Sequence, residues 1–448
     1  MDMARAQTGI DGLRQRPAAT LAAWQRAIAW ACWLLGGFER LVYVVVLHPP
    51  AQHIYSDMFG YVERARRFFT AVPENIGDTI YPPGTYAYLG LLYKLDPSWS
   101  LAALAQWLLA LGTMGLIWLI ARRLYGATAG LVALVIATLY PPLVHYPGLF
   151  LSETPFTFSL LLTTWLALRA IDASRGRDAL LQGFLAGAAL GLASSFKNTI
   201  FLPFLLTGLF YWLYALKHRR GVLLPLGIGV VAGVVLLFAP MTVRCTRLND
   251  GHFCLSANNI AMNVLMGHYG RNGPYHWHDA ARHIDFEFES PSASLRGYTN
   301  RIWLEFGAYD AAPNLEAAWS WTRAHPMEAL RLSLDNVDDL FFSRTLWPPF
   351  RLWNIDFGAV SQQLFWWTIL APAVLYLLSR ARPMLRLAPD ALPEWLLLLP
   401  VLGLIGTVFL AIGETRHRVP FDTLIIVLAA QAYTVAARML GRLRGAGR

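Results

Sequence analysis

Leu151-Ser152-Glu153-Thr154-Pro155-Phe156-Thr157-Phe158-Ser159-Leu160-Leu161-Leu162-Thr163-Thr164-Trp165-Leu166-Ala167-Leu168-Arg169-Ala170 sets the architecture. It carries one acid at its start and one base near its end, and it has the ~20 mostly apolar residues that a helix needs to cross a bilayer. Stretches of the same kind recur on both sides. They are Ile28–Leu47, Leu101–Ala121, Ala127–Tyr146, Leu181–Lys197, Ile200–Leu216, Val222–Met241, Gln362–Leu378, Trp395–Ile412 and Val419–Ala437. With Leu151–Ala170 they make ten expected spans of an all-α polytopic membrane protein. Composition agrees, because 56% of the 448 residues are hydrophobic and only 15% are charged. A soluble domain carries roughly 25% charged residues. A soluble single domain is a poor reading of these numbers, and disordered and collagen-like classes are excluded by the apolar content.

The basic residues fall in clusters between the spans: Arg5/Arg14/Arg16/Arg26, Arg122/Arg123, Arg169/Arg175/Arg177, Lys217/Arg219/Arg220, Arg380/Arg382/Arg386 and Arg438/Arg442/Arg444/Arg448. A cytoplasmic N-terminus puts every cluster on the cytoplasmic side, with both ends inside. Ile80–Leu95 is apolar but short, and a span there would move Arg122 and Arg123 outside. It reads as an interfacial or re-entrant helix, for a total of ten to eleven membrane helices. The chain then divides into a basic N-terminus (1–27), a first membrane module (28–241) with an outer loop (48–95), an outer region (242–361), the last helices (362–437) and a basic tail (438–448). The region 242–361 holds 13 acidic against 10 basic residues, which argues against a nucleic-acid partner despite the net charge of +9. No cleavage site follows the first span, which reads as a retained anchor. Clustered Arg with high Ala, Gly and Leu fits a bacterial inner membrane, with the outer regions in the periplasm.

Chemistry-bearing residues collect on the outer side. Asp57 opens an amphipathic segment whose apolar face takes Phe59, Val62 and Phe69, with Arg64 and Arg67 as a basic stripe at headgroup level. Asp57 is then either a helix cap or a carboxylate that takes a proton from a hydroxyl nucleophile. Glu153, behind Ser152, is either a cap at the positive end of its helix or a second carboxylate facing Asp57. With His145 nearby, Asp57 and Glu153 leave open a divalent-cation site. Lys197, Arg416 and Arg418 oppose the inside-positive bias in short outer connections. They read either as snorkelling residues, pairing with headgroups or Glu414, or as a site for a phosphate or diphosphate. Glu39 and Arg40 interrupt the first span and point about 100° apart, so no simple mutual pair is expected; Arg40 is assigned a structural role. Cys245 and Cys254 are either a small-loop disulfide or two thiols, while Cys32 is a small apolar residue. Trp277, Trp303, Trp319 and Trp321 are sugar-stacking or interface-anchoring rings. Neither a Walker sequence nor a dinucleotide fingerprint occurs.

Several segments together resemble the polyprenyl-phosphate-sugar-dependent membrane glycosyltransferases, the superfamily of GT-C fold that includes lipid A aminoarabinose transferase and the protein O-mannosyltransferases. They are Ser56-Asp57-Met58-Phe59-Gly60-Tyr61, Tyr81-Pro82-Pro83-Gly84, Arg122-Arg123-Leu124-Tyr125-Gly126, Leu151-Ser152-Glu153-Thr154-Pro155 and Gly187–Ala193 followed by Lys197. Cys254–Asn263 is similar to the family's asparagine-rich stretch, and Arg416-His417-Arg418-Val419-Pro420 to its entry into a late span. At Asp57-Met58 the sequence has one acid where the mannosyltransferases carry an Asp-Glu pair, and the outer region is shorter than in many relatives.

The resemblance implies an outward-facing site, a polyprenyl-phosphate-linked sugar donor and inverting transfer to a hydroxyl on a lipid, polysaccharide or protein. It implies Asp57 as general base, Glu153 as a sugar- or metal-binding carboxylate, and Lys197, Arg416 and Arg418 as donor-phosphate ligands. Tyr61, Tyr81, His145 and Asn259 join them as substrate-side residues. The competing reading is a transporter or flippase of a lipid-linked sugar. Such a protein would show an internal repeat and broken helices near the midplane, whereas the sequence shows no clear halves and its candidate polar groups gather at one face.

Overall fold

The computed structural model describes residues 22–218, 220–268, 277–279, 284–286, 311–343, 346, 349–352 and 355–446. Side chains are described over most of these, though not at Trp277 or Arg444. Arg5, Arg14, Arg16, Arg219, Arg448 and Trp303 lie outside the described residues.

The helices in chain order are α1 (Ala23–Val42), α2 (Asp57–Arg67), α3 (Gly84–Leu95), α4 (Ser100–Tyr125), α5 (Ala127–Leu139), α6 (Glu153–Asp172), α7 (Gly176–Phe196) and α8 (Phe201–His218). They continue with α9 (Arg220–Leu248), α10 (Asn259–His268), α11 (Ala311–Ala324), α12 (Pro326–Phe342), α13 (Phe357–Leu364), α14 (Ala371–Leu385), α15 (Leu392–Leu410) and α16 (Thr415–Ala446). Two short antiparallel hairpins complete the described residues, Trp277–Asp279 with Ile284–Phe286 and Arg351–Leu352 with Ile355–Asp356.

Nine helical segments among the described residues are long and apolar enough to cross a membrane. The chain is a polytopic membrane protein. The expected span Ala127–Tyr146 is not one straight helix, because α5 ends at Leu139 and the chain resumes at Pro142–Gly148 with a bend of 66°. Pro141 and Pro142 cause the break. A residue before proline is pushed out of the helical region, and Tyr140 takes φ −83°, ψ 109°. The segment around Ile80–Leu95 forms the 12-residue α3. At about 18 Å, such a helix is too short for a ~30 Å hydrocarbon core. α9 runs on past Met241 to Leu248, so Arg244 and Cys245 sit on helix rather than in a loop.

Small residues bring helices close where the site is built. A Cβ at Gly187 on α7 would lie 2.1 Å from the Val230 carbonyl oxygen of α9. One at Gly84, opening α3, would lie 2.6 Å from the Ser195 carbonyl oxygen near the end of α7. These contacts need glycine, as in small-residue helix packing generally. α16 lies inside the bundle against α4, α5, α6 and α14, with Phe421, Leu424 and Val427 in the main core beside Phe156 and Leu160. A second core of Met58, Tyr61, Val62, Tyr86, Leu89 and Phe150 fixes α2 and α3 over one end of the bundle.

The inner face of α2 differs from the expected one. Val62 is buried, but Phe59 and Phe69 are 62% and 46% exposed. Arg64 and Arg67 do not form a headgroup stripe. Arg64 is buried, donates to the Gly60 and Gly77 carbonyls at 3.0 and 2.6 Å, and lies 3.3 Å from Asp78; Arg67 pairs with the same carboxylate. Asp78 is almost wholly buried, and a buried carboxylate demands paired cations. That demand draws both arginines inward.

Candidate active site

Four chain segments deliver charged side chains to one end of the bundle. Asp57 is the first residue of α2, and Ser56 before it sits at φ 51°, a backbone region that costs a non-glycine residue about 1 kcal/mol or more. Neither Ser56 nor Asp57 makes a side-chain cap to the helix. Glu153 is the first residue of α6, Lys197 follows α7 in extended conformation, and Glu414 precedes α16, which carries Arg416 in its first turn.

The side chains meet as one pair and one triad. Lys197 Nζ donates to Glu153 Oε1 at 2.7 Å. Arg416 Nη1 donates to Asp57 Oδ2 at 2.7 Å, while its Nε lies 2.6 Å from Glu414 Oε2. The charge of Glu153 acts on Arg416 and that of Lys197 on Glu414, so the pair and the triad form one cluster. Three carboxylates face two cations there. Glu153 Oε2 is buried and has no hydrogen-bond partner among the described residues. Of the three acids, the side chains of Glu153 and Glu414 are 2% and 3% exposed, whereas Asp57 keeps 25%. Asp57 is therefore the carboxylate that an incoming molecule can reach.

Tyrosines wall this cluster. Tyr81 donates its hydroxyl to Asp57 Oδ1 at 3.2 Å, and its ring lies against Tyr61 with centroids 4.7 Å apart. Burial, followed by the charge of Asp57, holds both phenols above the usual tyrosine range, so they stay protonated hydrogen-bond donors. Burial also pushes the Glu414 carboxyl up, against the opposing pull of Arg416. Tyr146 is buried and coupled to Glu153, Arg416 and Glu414.

Arg418 stands elsewhere. It is fully buried and pairs with Asp422 through Nε at 2.8 Å. It also donates to the carbonyls of Leu340 and Phe341 and to Gln362, and lies over the Phe365 ring. Tyr140 completes this network by donating to Asp422 at 2.6 Å. This corrects the reading of Arg418 as a donor-phosphate ligand, because its guanidinium is spent on packing α16 against α12 and α13.

His145 is buried with Nδ1 2.7 Å from the Tyr43 hydroxyl and its ring stacked on Phe350 at 4.4 Å. Asn259 opens α10, but it is Asn258 that docks the asparagine-rich stretch, through Thr79 at 2.7 and 3.1 Å. Ser256 adds a bond to Asn198 at 2.6 Å. Cys245 and Cys254 are joined as a disulfide, with Cα atoms 5.4 Å apart. Arg40 is fully buried and donates to the carbonyls of Gly36, Ala137 and Leu143. It also pairs with Glu39 at 2.5 Å, which corrects the expectation from their angular separation, since two long side chains reach around the helix. Trp319 takes Arg323 over its ring and Trp321 stacks on His325.

Among the described residues no three His, Cys, Asp or Glu side chains converge on a position for a metal ion. Asp57 and Glu153 turn to Arg416 and Lys197 instead, so these two residues as arranged do not fit a divalent-cation shell.

A profile of the dolichyl-phosphate-mannose-protein mannosyltransferase family matches residues 81–243, the segment holding Tyr81, His145, Glu153 and Lys197. The structure is similar over 94% of its length to the archaeal oligosaccharyltransferase AglB of Archaeoglobus fulgidus, solved with an inhibitory peptide and a dolichol-phosphate, at 13% identity and TM-score 0.51. The chain shares the all-helical membrane fold of that enzyme. The same oligosaccharyltransferase tethered to an acceptor peptide matches over 94% of this chain (12% identity, TM-score 0.52), and its apo form over 96% (11%, 0.51). At these identities the likeness is one of fold. The chain spans about half the length of those structures, covering 51%, 50% and 52% of them. No curated protein sequence matches it.

Glu414, Tyr146, Asp78 and Asp422 were not singled out as functional from sequence. Glu414 had a signal, since an acid two residues before an outer arginine is a ready partner. For Asp422 the signal was an ionisable residue inside an apolar span.

Proposed function

We propose that this chain transfers a sugar from a polyprenyl-phosphate donor to an acceptor hydroxyl, with inversion, at the outer face of a bacterial inner membrane. The observation that carries the reading is the convergence of a reachable carboxylate, Asp57, with two cations, Lys197 and Arg416, in one tyrosine-walled site. Asp57 takes the acceptor hydroxyl proton. The freed oxygen forms a bond to the anomeric carbon as the bond from that carbon to the phosphate oxygen breaks. The leaving electron pair stays on polyprenyl phosphate, whose charge Lys197 and Arg416 offset. Glu153 Oε2 supplies an acceptor for a sugar hydroxyl, which would satisfy a buried oxygen that has no partner among the described residues. The phosphate sits at the bundle end while the prenyl tail stays in lipid, since each buried CH₂ contributes about 0.8 kcal/mol.

The test is to incubate the purified protein with a panel of polyprenyl-phosphate sugars and membrane extract, and to follow free polyprenyl phosphate by mass spectrometry. Release that depends on both sugar donor and extract supports transfer. Donor binding with no release in any pairing contradicts it and favours a carrier of lipid-linked sugars.

A further inference from the structure

Both oxygens of the proposed base are already engaged by the protein. Oδ2 accepts from Arg416 at 2.7 Å and Oδ1 from Tyr81 at 3.2 Å. To take a proton on Oδ2, Asp57 must release a charge-assisted bond, which is the strong kind. The guanidinium is also the group best shaped to grip a phosphate, because its planar fork matches phosphate oxygens. Glu414 holds the Nε edge at 2.6 Å, so a change of partner at Nη1 turns only the far end of the side chain. Lys197 does not duplicate this arrangement, since its ammonium is paired with Glu153, 44 positions away in sequence, and not with Asp57.

We infer that the donor phosphate and Asp57 compete for Arg416, so that donor binding frees the base. The inference rests on the transfer reaction proposed above and adds its order. Asp57 is held by Arg416 until a phosphate draws the guanidinium away, and only then does it face the acceptor hydroxyl unencumbered. The base is thereby withheld while the site is empty of donor. A donor that lost its phosphate would leave the Arg416–Asp57 bond in place.

The competition is read as binding, without turnover. Undecaprenyl phosphate is titrated into wild type, Asp57→Asn, Arg416→Gln and the double variant, each in phosphatidylcholine nanodiscs, with affinity read by native mass spectrometry. D57N is expected to bind this probe about tenfold more tightly than wild type, the size of one bond to a charged partner no longer broken. In the R416Q background the gain from D57N is expected to vanish, because no guanidinium is left to release. An equal gain in both backgrounds is simple charge relief and overturns the inference, as does an unchanged or weaker affinity in D57N. If R416Q does not fold, Arg416→Lys replaces it; the charge remains, the fork is lost, and the gain is expected to shrink. Failure of the wild type to bind the probe overturns the donor reading itself, and so is distinguishable from failure of the competition.

Discussion

Arg416 and Arg418 stand two residues apart on one helix and live in different chemistry. Arg416 lies in the opening turn of α16, held between Glu414 and Asp57 where the bundle end opens. Arg418 is fully buried, ringed by Asp422, Gln362 and two carbonyls. Two steps along an α-helix turn the side chain by about 200°, so neighbours at that spacing face opposite ways. A motif that reads as a double phosphate clamp is thus one functional cation and one structural one.

That contrast can be broken by experiment. Arg418→Ala strands the Asp422 carboxylate in the core, and one-sided removal of a buried pair costs about 3–5 kcal/mol. A large drop in the thermal midpoint of the detergent-solubilised protein is expected, with an unchanged KM for donor in the fraction that remains folded. A raised KM at unchanged stability would put Arg418 back on the substrate. Arg416→Gln is expected to behave in the opposite sense, lowering kcat/KM by about 100-fold, the scale of one lost oxyanion donor, with a smaller stability loss than the Arg418 variant. Equal thermal losses in the two variants would erase the distinction.

Smaller effects sharpen it. Ser56→Gly relieves the positive φ before Asp57 and is expected to raise stability by about 1 kcal/mol, measured by thermal unfolding. A loss of activity alongside that gain would mean the strained turn aims Asp57. The smallest effect concerns Glu414. Its carboxyl is raised by burial, so it binds a proton at higher pH in the fold than in the unfolded chain. This group therefore costs the fold stability as pH rises through the raised value, and as pH falls it loses the charge that anchors Arg416. Activity is expected to decline on the acid side above the ordinary carboxylate range, and Glu414→Gln to flatten that limb of the pH–rate profile.

Much of this site was legible because charge is scarce in so apolar a chain. Asp57, Glu153, Lys197 and Arg416 were each visible as ionisable residues at the mouths of spans, and the positions of the spans followed from hydropathy. The partners were not legible. Nothing in the sequence says that Glu153 meets Lys197 rather than Asp57, since that depends on how α6 and α7 pack against each other. Arg64 and Arg67 looked like surface charges because Asp78, the carboxylate that draws them inward, lies in a turn without hydropathy signal. The break at Tyr140 was readable, as Pro141-Pro142 forbids a continuous helix, but apolar content alone conceals it. Arg418 was misread because its partner Asp422 lies one turn further along the same helix, inside a stretch taken as lipid-spanning.

The most direct measurement compares single-turnover consumption of a polyprenyl-phosphate sugar by wild type and Asp57→Asn, with donor binding measured on the same samples. Removal of a general base predicts a loss of about 10²–10⁴-fold in rate with donor binding retained or tightened. Turnover persisting at the wild-type rate in D57N would contradict the assignment of Asp57 as the base.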